Sequence, residues 1–329
     1  MYTDGSWQHF GPSMSLLQKV AIFGAGGAIG RALAPEFERR GIPFRVVGRG
    51  KAKLEAAFGQ MRHAEVFDAD LTDLRSAGAA ARGVDTIIYT VGVPYTSFEL
   101  HPAMIRTAIE AAATMQVARL VLVSNVYPYG VPRTSHVSET HPREPQTRKG
   151  KFRKEQEDAV FEAHSKGRLQ GMVVRLPDFY GPHADLSLAN PIFRAALDGK
   201  TANWLGPLNA PHEFVFVPDA GHTIADLAEC AECYGEAWNV AGPGEINAMD
   251  FITRVYRAAG RGPKYRSVGR GLLKVMGWFN PLYRELLEMM YLTETPVLLD
   301  DARLRAKFGA VSKTSYDDGI RQTIEWMRG

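Results

Sequence analysis

Cysteine is scarce in this chain, and long apolar runs are missing. Of 329 residues only Cys230 and Cys233 are cysteine, so no disulfide framework holds the fold. With 45% hydrophobic residues the core is expected to carry itself. The CxxC spacing suits a redox pair or half of a metal site. A redox pair, however, belongs at a helix N-terminus, and this one follows "AGHTIADLAE" at a helix end. The nine histidines show no ligand spacing such as HxxxH, so no metal centre is expected and the thiols read as incidental. No uncharged apolar stretch approaches the roughly 20 residues of a membrane span.

Clustered charge is missing too. Lys and Arg are scattered and the formal net charge is +3, which argues against a nucleic-acid surface. The amino terminus, "MYTDGSWQHFGPSMSLLQKV", has no basic end followed by an apolar stretch and is not a signal peptide. Residues 1–18 read as a loose tail, with Met14 as an alternative start, and the expected compartment is the cytoplasm. There is no internal repeat and no low-complexity segment.

What is there is an alternation of strands and helices. "KVAIFGAGGAIG" is a short apolar strand running into a turn made by Gly24, Gly26, Gly27 and Gly30, which opens a helix at Ala28 and Ile29. Glycines allow the sharp turn and the close approach of a pyrophosphate, and the helix N-terminus offers free N–H groups. The helix "AIGRALAPEFERRG" stops at Gly41 and carries Pro35, where a kink is expected. A second strand, "PFRVVGR", ends in Gly48-Arg49-Gly50-Lys51. An acidic residue there would favour NAD; Arg49 and Lys51 instead suit a 2′-phosphate, so the expected cofactor is NADP(H), with NAD second. Further strands end at Asp70-Leu71, at Val91-Gly92 and in "ARLVLVSNVYPYG". Continuous apolar strands joined by helical crossovers indicate an α/β protein with a doubly wound, parallel, Rossmann-type sheet.

These residues, in this order, resemble the extended or atypical short-chain dehydrogenases/reductases, the group of NAD-dependent epimerases and dehydratases. Gly24-x-x-Gly27-x-x-Gly30 has the extended spacing. "DADL", "VVRLPDFYGP", "HEFVFVPDAGHTIADL", "EAWNVAGPGE" and the carboxy-terminal "AKFGAVSKTSYDDGIRQTIEWMRG" fall where that family has similar blocks. The resemblance implies a Rossmann domain over residues 19–176, with Asp70, Leu71, Val91, Gly92 and Pro177 beside the cofactor. It implies a smaller α/β substrate domain over residues 177–329, partly interleaved with the first. It also implies hydride transfer carried by a Tyr-x-x-x-Lys pair and a Ser or Thr.

That pair is absent from the chain. In "PQTRKGKFRKEQE" the gapless register puts Lys149 and Arg153 at the two positions; a shifted one puts Gly150 and Lys154 there. Lys149 and Arg153 lie on one helix face and suit phosphate or ribose contact, or belong to a solvated charge run. A desolvated Lys149 can in principle act as an acid. The family's hydroxyl falls at Ser124 or Asn125, and Tyr127 and Tyr129 lie just beyond as substitute phenols or as packing. "GLLKVMGWFNPLYRELLEMMYL" is expected to wall the substrate cleft, with contact to a membrane surface or a partner helix as the other reading; a cleft wall of this kind would favour an apolar or aromatic small molecule. A homodimer is compatible with the sequence. Three functions stay open: an NADP(H)-dependent oxidoreductase or epimerase-like enzyme with a rearranged catalytic group, an NADP(H)-binding sensor or regulatory subunit without turnover, and a dehydratase or isomerase that keeps its nucleotide bound.

Overall fold

The computed structural model describes residues 16–329; the earlier part of the expected tail, Met14 included, lies outside the described residues. Leu17 is already buried in the core. Six strands and five helices then alternate: β1 (Val20–Phe23), α1 (Ala28–Arg40), β2 (Phe44–Gly48), α2 (Lys51–Phe58), β3 (Ala64–Asp68), α3 (Leu74–Ala81), β4 (Thr86–Tyr89), α4 (Leu100–Thr114), β5 (Arg119–Asn125), α5 (Arg148–Ser165) and β6 (Gln170–Leu176). A seventh strand, Ala237–Asn239, joins from the carboxy-terminal half. All seven pair in parallel, in the order Ala237–Asn239, β6, β5, β4, β1, β2, β3. The winding reverses between β1 and β4, which opens a crevice at the carboxyl ends of these strands.

Apolar side chains on both faces explain the unbroken hydrophobic strands. Leu33 and Phe37 of α1 and Ile224 of the helix Val217–Glu229 pack one face, against Ile22, Val46 and Val174. Ile105 of α4 and Val160 of α5 pack the other, against Phe23, Ile87 and Leu122. α1 runs on through Pro35, which is exposed, and ends as expected at Gly41, whose left-handed φ of 67° lets its N–H reach the Glu38 carbonyl.

α5 is the unusual helix. Thr147 caps it by accepting the N–H of Gly150 at 3.1 Å. Its inward face carries Lys149, Arg153, Gln156 and Glu157, all buried. Glu157 accepts from Ser124 Oγ of β5 at 2.6 Å, from Arg175 Nη2 of β6 at 2.8 Å and from Arg143 Nη1 at 3.0 Å. Burial works against the charge of Arg175, but the Glu157 carboxylate outweighs it and holds the guanidinium above its usual range. Arg175 also donates to the Tyr129 hydroxyl at 2.7 Å, which in turn donates to Asn239 Oδ1 at 2.8 Å. Tyr129 is therefore part of the framework.

Two further details depart from the sequence expectations. "HEFVFVPD" forms only the short strand Phe214–Phe216, and the next helix begins at Val217 with Pro218 in its first turn. Cys230 and Cys233 are not incidental thiols: the helix ends at Cys230, one 3-10 turn follows, and the Cα atoms lie 5.3 Å apart in a disulfide. Among the described residues no helix is long and apolar enough to cross a membrane, and no acid, His or Cys cluster could hold a metal. The smaller carboxy-terminal domain is centred on the rings of Tyr180, Phe193, Phe214 and Phe251.

Glu213 ties that domain to the following chain, accepting from Gly242 N and Leu299 N, both at 3.1 Å. Burial pushes its carboxyl up to about 7, against those two donors. Because the folded value is raised, the stabilising component is present below the ordinary carboxylate range and is lost as pH rises towards and past about 7. Glu213→Gln removes this titration, although its amide replaces one acceptor and lowers stability overall. The stability gap between wild type and variant is expected to shrink by about 2–3 kcal/mol from pH 5 to pH 8. Urea titrations at both pH values check this; a constant gap would contradict it.

Candidate functional site

The crevice begins at the glycine turn. Gly24 has φ +88°, and a Cβ on it would meet the Val91 backbone at 2.9 Å, so the turn lies hard against the chain leaving β4. A Cβ on Gly30 would strike the Ala25 backbone at 2.5 Å, which is how helix and turn pack closely. Gly26 differs: nothing lies within 4 Å of its Cβ position. Gly27 is the N-cap of α1, and the first-turn amides, at Ala28 and Ile29, have no intrahelical acceptor. Open space beside free amides at a helix N-terminus fits the pyrophosphate of a dinucleotide. Arg31, which the motif reading did not single out, donates from Nε to Gly26 O at 3.3 Å and covers the Phe58 ring.

Arg49 and Lys51 are exposed beyond β2, and Lys51 starts α2. Asp68 is engaged by the Gly50 N–H at 2.9 Å. The Thr72 N–H, then its hydroxyl, hold the Asp70 carboxyl below its usual range, with Arg49 adding to the effect. Leu71 and Pro177 are buried, and Val91 and Gly92 follow β4 as expected.

At the ends of β4, β5 and β6 three polar groups converge. Tyr95 follows β4, Tyr127 follows β5, and Asp178 follows β6. The Tyr95 and Tyr127 hydroxyls are 2.8 Å apart. Burial pushes Tyr95 up to about 12, with the hydrogen bond to Tyr127 opposing, and pushes Tyr127 well above the usual phenol range, with the Tyr95 and Asp178 charges adding to the burial. Asp178 Oδ2 accepts from His212 Nε2 at 2.9 Å, in the tautomer that carries its proton there, and lies within electrostatic reach of both phenols and of Tyr291.

The remaining candidates are committed elsewhere. Ser124 donates its proton to Glu157, and Asn125 Oδ1 accepts from the Tyr127 N–H at 3.1 Å, which leaves only the Asn125 Nδ2 donors without a hydrogen bond among the described residues. Lys149 is not a solvated residue: its side chain is only 2% exposed, and its ammonium is held by Glu285 and, at 2.6 Å, by Glu288. Both glutamates come from the helix Pro281–Met289, so the expected wall segment reaches the site through these acids as well as through Met289 and Leu292, which pack with Phe98 and Tyr127. Two carboxylates thus engage two of the three ammonium protons of Lys149. Arg153 is buried without a carboxylate hydrogen bond. Its Nη1 donates to Gln156 at 2.7 Å and its Nη2 to Val123 O at 3.2 Å, while its Nε lacks a partner. Burial lowers its pKa and the Glu157 charge opposes the shift. Lys154, of the alternative register, pairs with Asp158 at 2.6 Å. Lys149 and Arg153, not Gly150 and Lys154, are the inward pair of cations.

A cavity of about 200 Å³ opens beside the phenols, lined by Tyr95, Phe98, Lys149, Phe152, Glu285 and Glu288 among others. A wider depression of about 530 Å³, lined by Gln116, His164 and Arg168, lies at the amino ends of β5 and β6, away from these groups. Sequence reading passed over Tyr95, Asp178, His212, Glu285 and Glu288. The only signal for the first two was their place just past a strand end; His212 comes from 34 residues beyond Asp178 and the two glutamates from 136 and 139 residues beyond Lys149, and nothing local marks them.

The model of the NAD dependent epimerase/dehydratase family matches residues 20–241, more than half of the chain. A dTDP-6-deoxy-L-talose 4-dehydrogenase (NAD(P)(+)) of Kitasatospora kifunensis is 29% identical over 214 residues, 61% of this chain and 67% of the relative. A dTDP-glucose 4,6-dehydratase from Streptomyces venezuelae, crystallised with NAD, superposes with a TM-score of 0.79 at 18% identity, covering 94% of this chain and 97% of that one. A UDP-glucose 4-epimerase of Thermus thermophilus, also with NAD, gives 0.75 at 19% identity, over 94% and 99%.

The glycine geometry separates binding from folding. Gly26→Val is expected to keep the wild-type melting temperature and lose nucleotide binding at least ~100-fold, because its side chain enters only open space. Gly30→Val is expected to unfold at lower temperature, because it meets backbone. Calorimetry with nucleotide titration distinguishes the two; normal binding by the folded Gly26 variant would contradict the assigned phosphate position.

Proposed function

Because the chain belongs to the NAD dependent epimerase/dehydratase family, we propose that it is an oxidoreductase that reduces a small carbonyl compound with NADP(H), using a proton donor that has moved from α5 to the Tyr95–Tyr127 pair. The observation that carries this reading is the 2.8 Å contact between two phenols at the carboxyl edge of β4 and β5. One hydroxyl donates to the other, which leaves one O–H free for a third oxygen. Both are held protonated at neutral pH by their burial. That state suits donation to a developing alkoxide, which is far more basic than a phenolate, and does not suit proton abstraction from an alcohol. The pair is therefore assigned as the proton donor of the reduction.

The nicotinamide, when bound, supplies the hydride. The protein's own residues do the rest. The first-turn amides of α1 hold the pyrophosphate, and Arg49 and Lys51 take the 2′-phosphate. Arg153 keeps a fixed positive charge near the phenols, which opposes the upward shift of Tyr95. Tyr95, Phe98 and Phe152 put three rings on a cavity of about 200 Å³, below the usual range for ligand pockets, which Lys149, Glu285 and Glu288 also line. Its small size supports a compact substrate over the nucleotide sugars of the named relatives, one with an apolar or aromatic part for the rings and a polar group for the charged wall. A second reading, an NADP(H) binder without turnover, is favoured by one observation: Glu285 and Glu288 already occupy Lys149.

Three measurements test these readings. NADPH oxidation with a panel of small aldehydes and ketones should show turnover, and Tyr127→Phe should lower kcat by about 10²-fold or more with KM little changed. An undiminished kcat in that variant would remove the phenol from the mechanism, and tight NADPH binding with no turnover across the panel would favour the binder. Arg49→Glu should abolish a preference for NADPH over NADH; equal wild-type affinities would refute the preference itself.

A further inference from the structure

The segment Arg270–Leu282 has an outer face that the chain leaves uncovered. A short helix, Arg270–Met276, and the turn into the helix Pro281–Met289 carry Leu272, Val275, Trp278, Phe279 and Leu282, all exposed; Trp278 and Phe279 are 77% and 85% accessible. The opposite side is secured from beneath, where Leu273, Met290 and Val268 form a small buried cluster. The exposed face is thus held in place, and its two most exposed aromatics sit at the tip of the turn. An apolar patch of this kind on a soluble scaffold marks a contact surface.

Its electrostatics select the partner. "RGLLKVMGWFNPL" contains no acid, and the next residues that do, Glu285 and Glu288, are turned inward onto Lys149. Glu294 is taken up by Arg270 at 2.7 Å. Lys274 and Arg284 are exposed and make no ion pair among the described residues. Tryptophan, phenylalanine and leucine at a turn, flanked by unpaired cations and no free anion, match the apolar boundary and negative headgroups of a lipid surface. We propose that this helix–turn–helix docks on an anionic bilayer, inserting Trp278 and Phe279 to the depth of the headgroups. The docked helix is the one whose glutamates cover Lys149, so the bilayer would lie beside the cavity mouth, where an apolar substrate could enter from lipid. The docking itself does not depend on the proposed reaction.

The test is co-sedimentation of the full chain with vesicles of phosphatidylcholine alone and of phosphatidylcholine containing about a quarter phosphatidylglycerol. Binding to the anionic vesicles is expected to be tighter by about tenfold or more, to weaken with added salt, and to shift the Trp278 emission to the blue. Trp278→Ser with Phe279→Ser should lower binding at least ~10-fold, and Lys274→Glu with Arg284→Glu should erase the preference for anionic lipid. Circular dichroism and nucleotide binding serve as controls for folding in both. Absence of wild-type binding to either vesicle overturns the proposal, as does binding that the aromatic pair does not affect. A concentration-dependent dimer that the same pair abolishes, without lipid binding, would assign the face to a second copy of the chain instead.

Discussion

Much of the site depends on one buried carboxylate. Glu157 is wholly inaccessible, and it survives there because Ser124, Arg143 and Arg175 satisfy both oxygens. Removing one partner of such a group leaves an uncompensated charge, a cost of about 3–5 kcal/mol, so the arrangement is held as a unit. Its structural effect is to fix the rotation of α5. Residues four and eight positions earlier lie on the same face, and these are Arg153 and Lys149. Both cations are turned inward because Glu157 is.

A helix so rich in charge gains little from apolar packing, and its position is set by polar partners on each side. Arg175 passes the connection through the Tyr129 hydroxyl to Asn239, whose amide donates to Val137 O at 2.8 Å and to Asp300 O at 3.2 Å. The network therefore ties β5, β6, the strand Ala237–Asn239 and the carboxy-terminal chain to one carboxylate. The same economy removes candidates from the chemistry. Ser124, Tyr129 and Lys149 each have the functional group that catalysis needs, and each is already engaged. The Tyr95–Tyr127 pair, whose hydroxyls are 2.8 Å apart, keeps one hydroxyl hydrogen to give.

The fold is shared with dehydratases and epimerases of sugar nucleotides, yet a fold does not carry a reaction with it. The glycine turn keeps the geometry that a dinucleotide needs, while α5 carries an ammonium under two carboxylates and a guanidinium without one where the family resemblance implies a phenol and an ammonium. On the proposed reading the proton donor lies instead in the loops at the strand ends, where side chains change without disturbing the core.

The alternation of strands and helices, the glycine turn and the membership of Lys149 and Arg153 on one face were legible in the sequence, because they follow from local periodicity and from contacts within a few residues. Apolar runs had to be buried, Gly41 had to stop α1, and four-residue spacing had to align side chains. Tertiary structure alone decided which of those side chains were free. That Glu285 and Glu288 would reach Lys149 from more than 130 residues away, that Ser124 would be spent on Glu157, and that Tyr95 would meet Tyr127 are consequences of packing between distant elements. The disulfide between Cys230 and Cys233 depended likewise on where a helix ended. Composition sets whether a charge is present; only the folded chain sets what neutralises it.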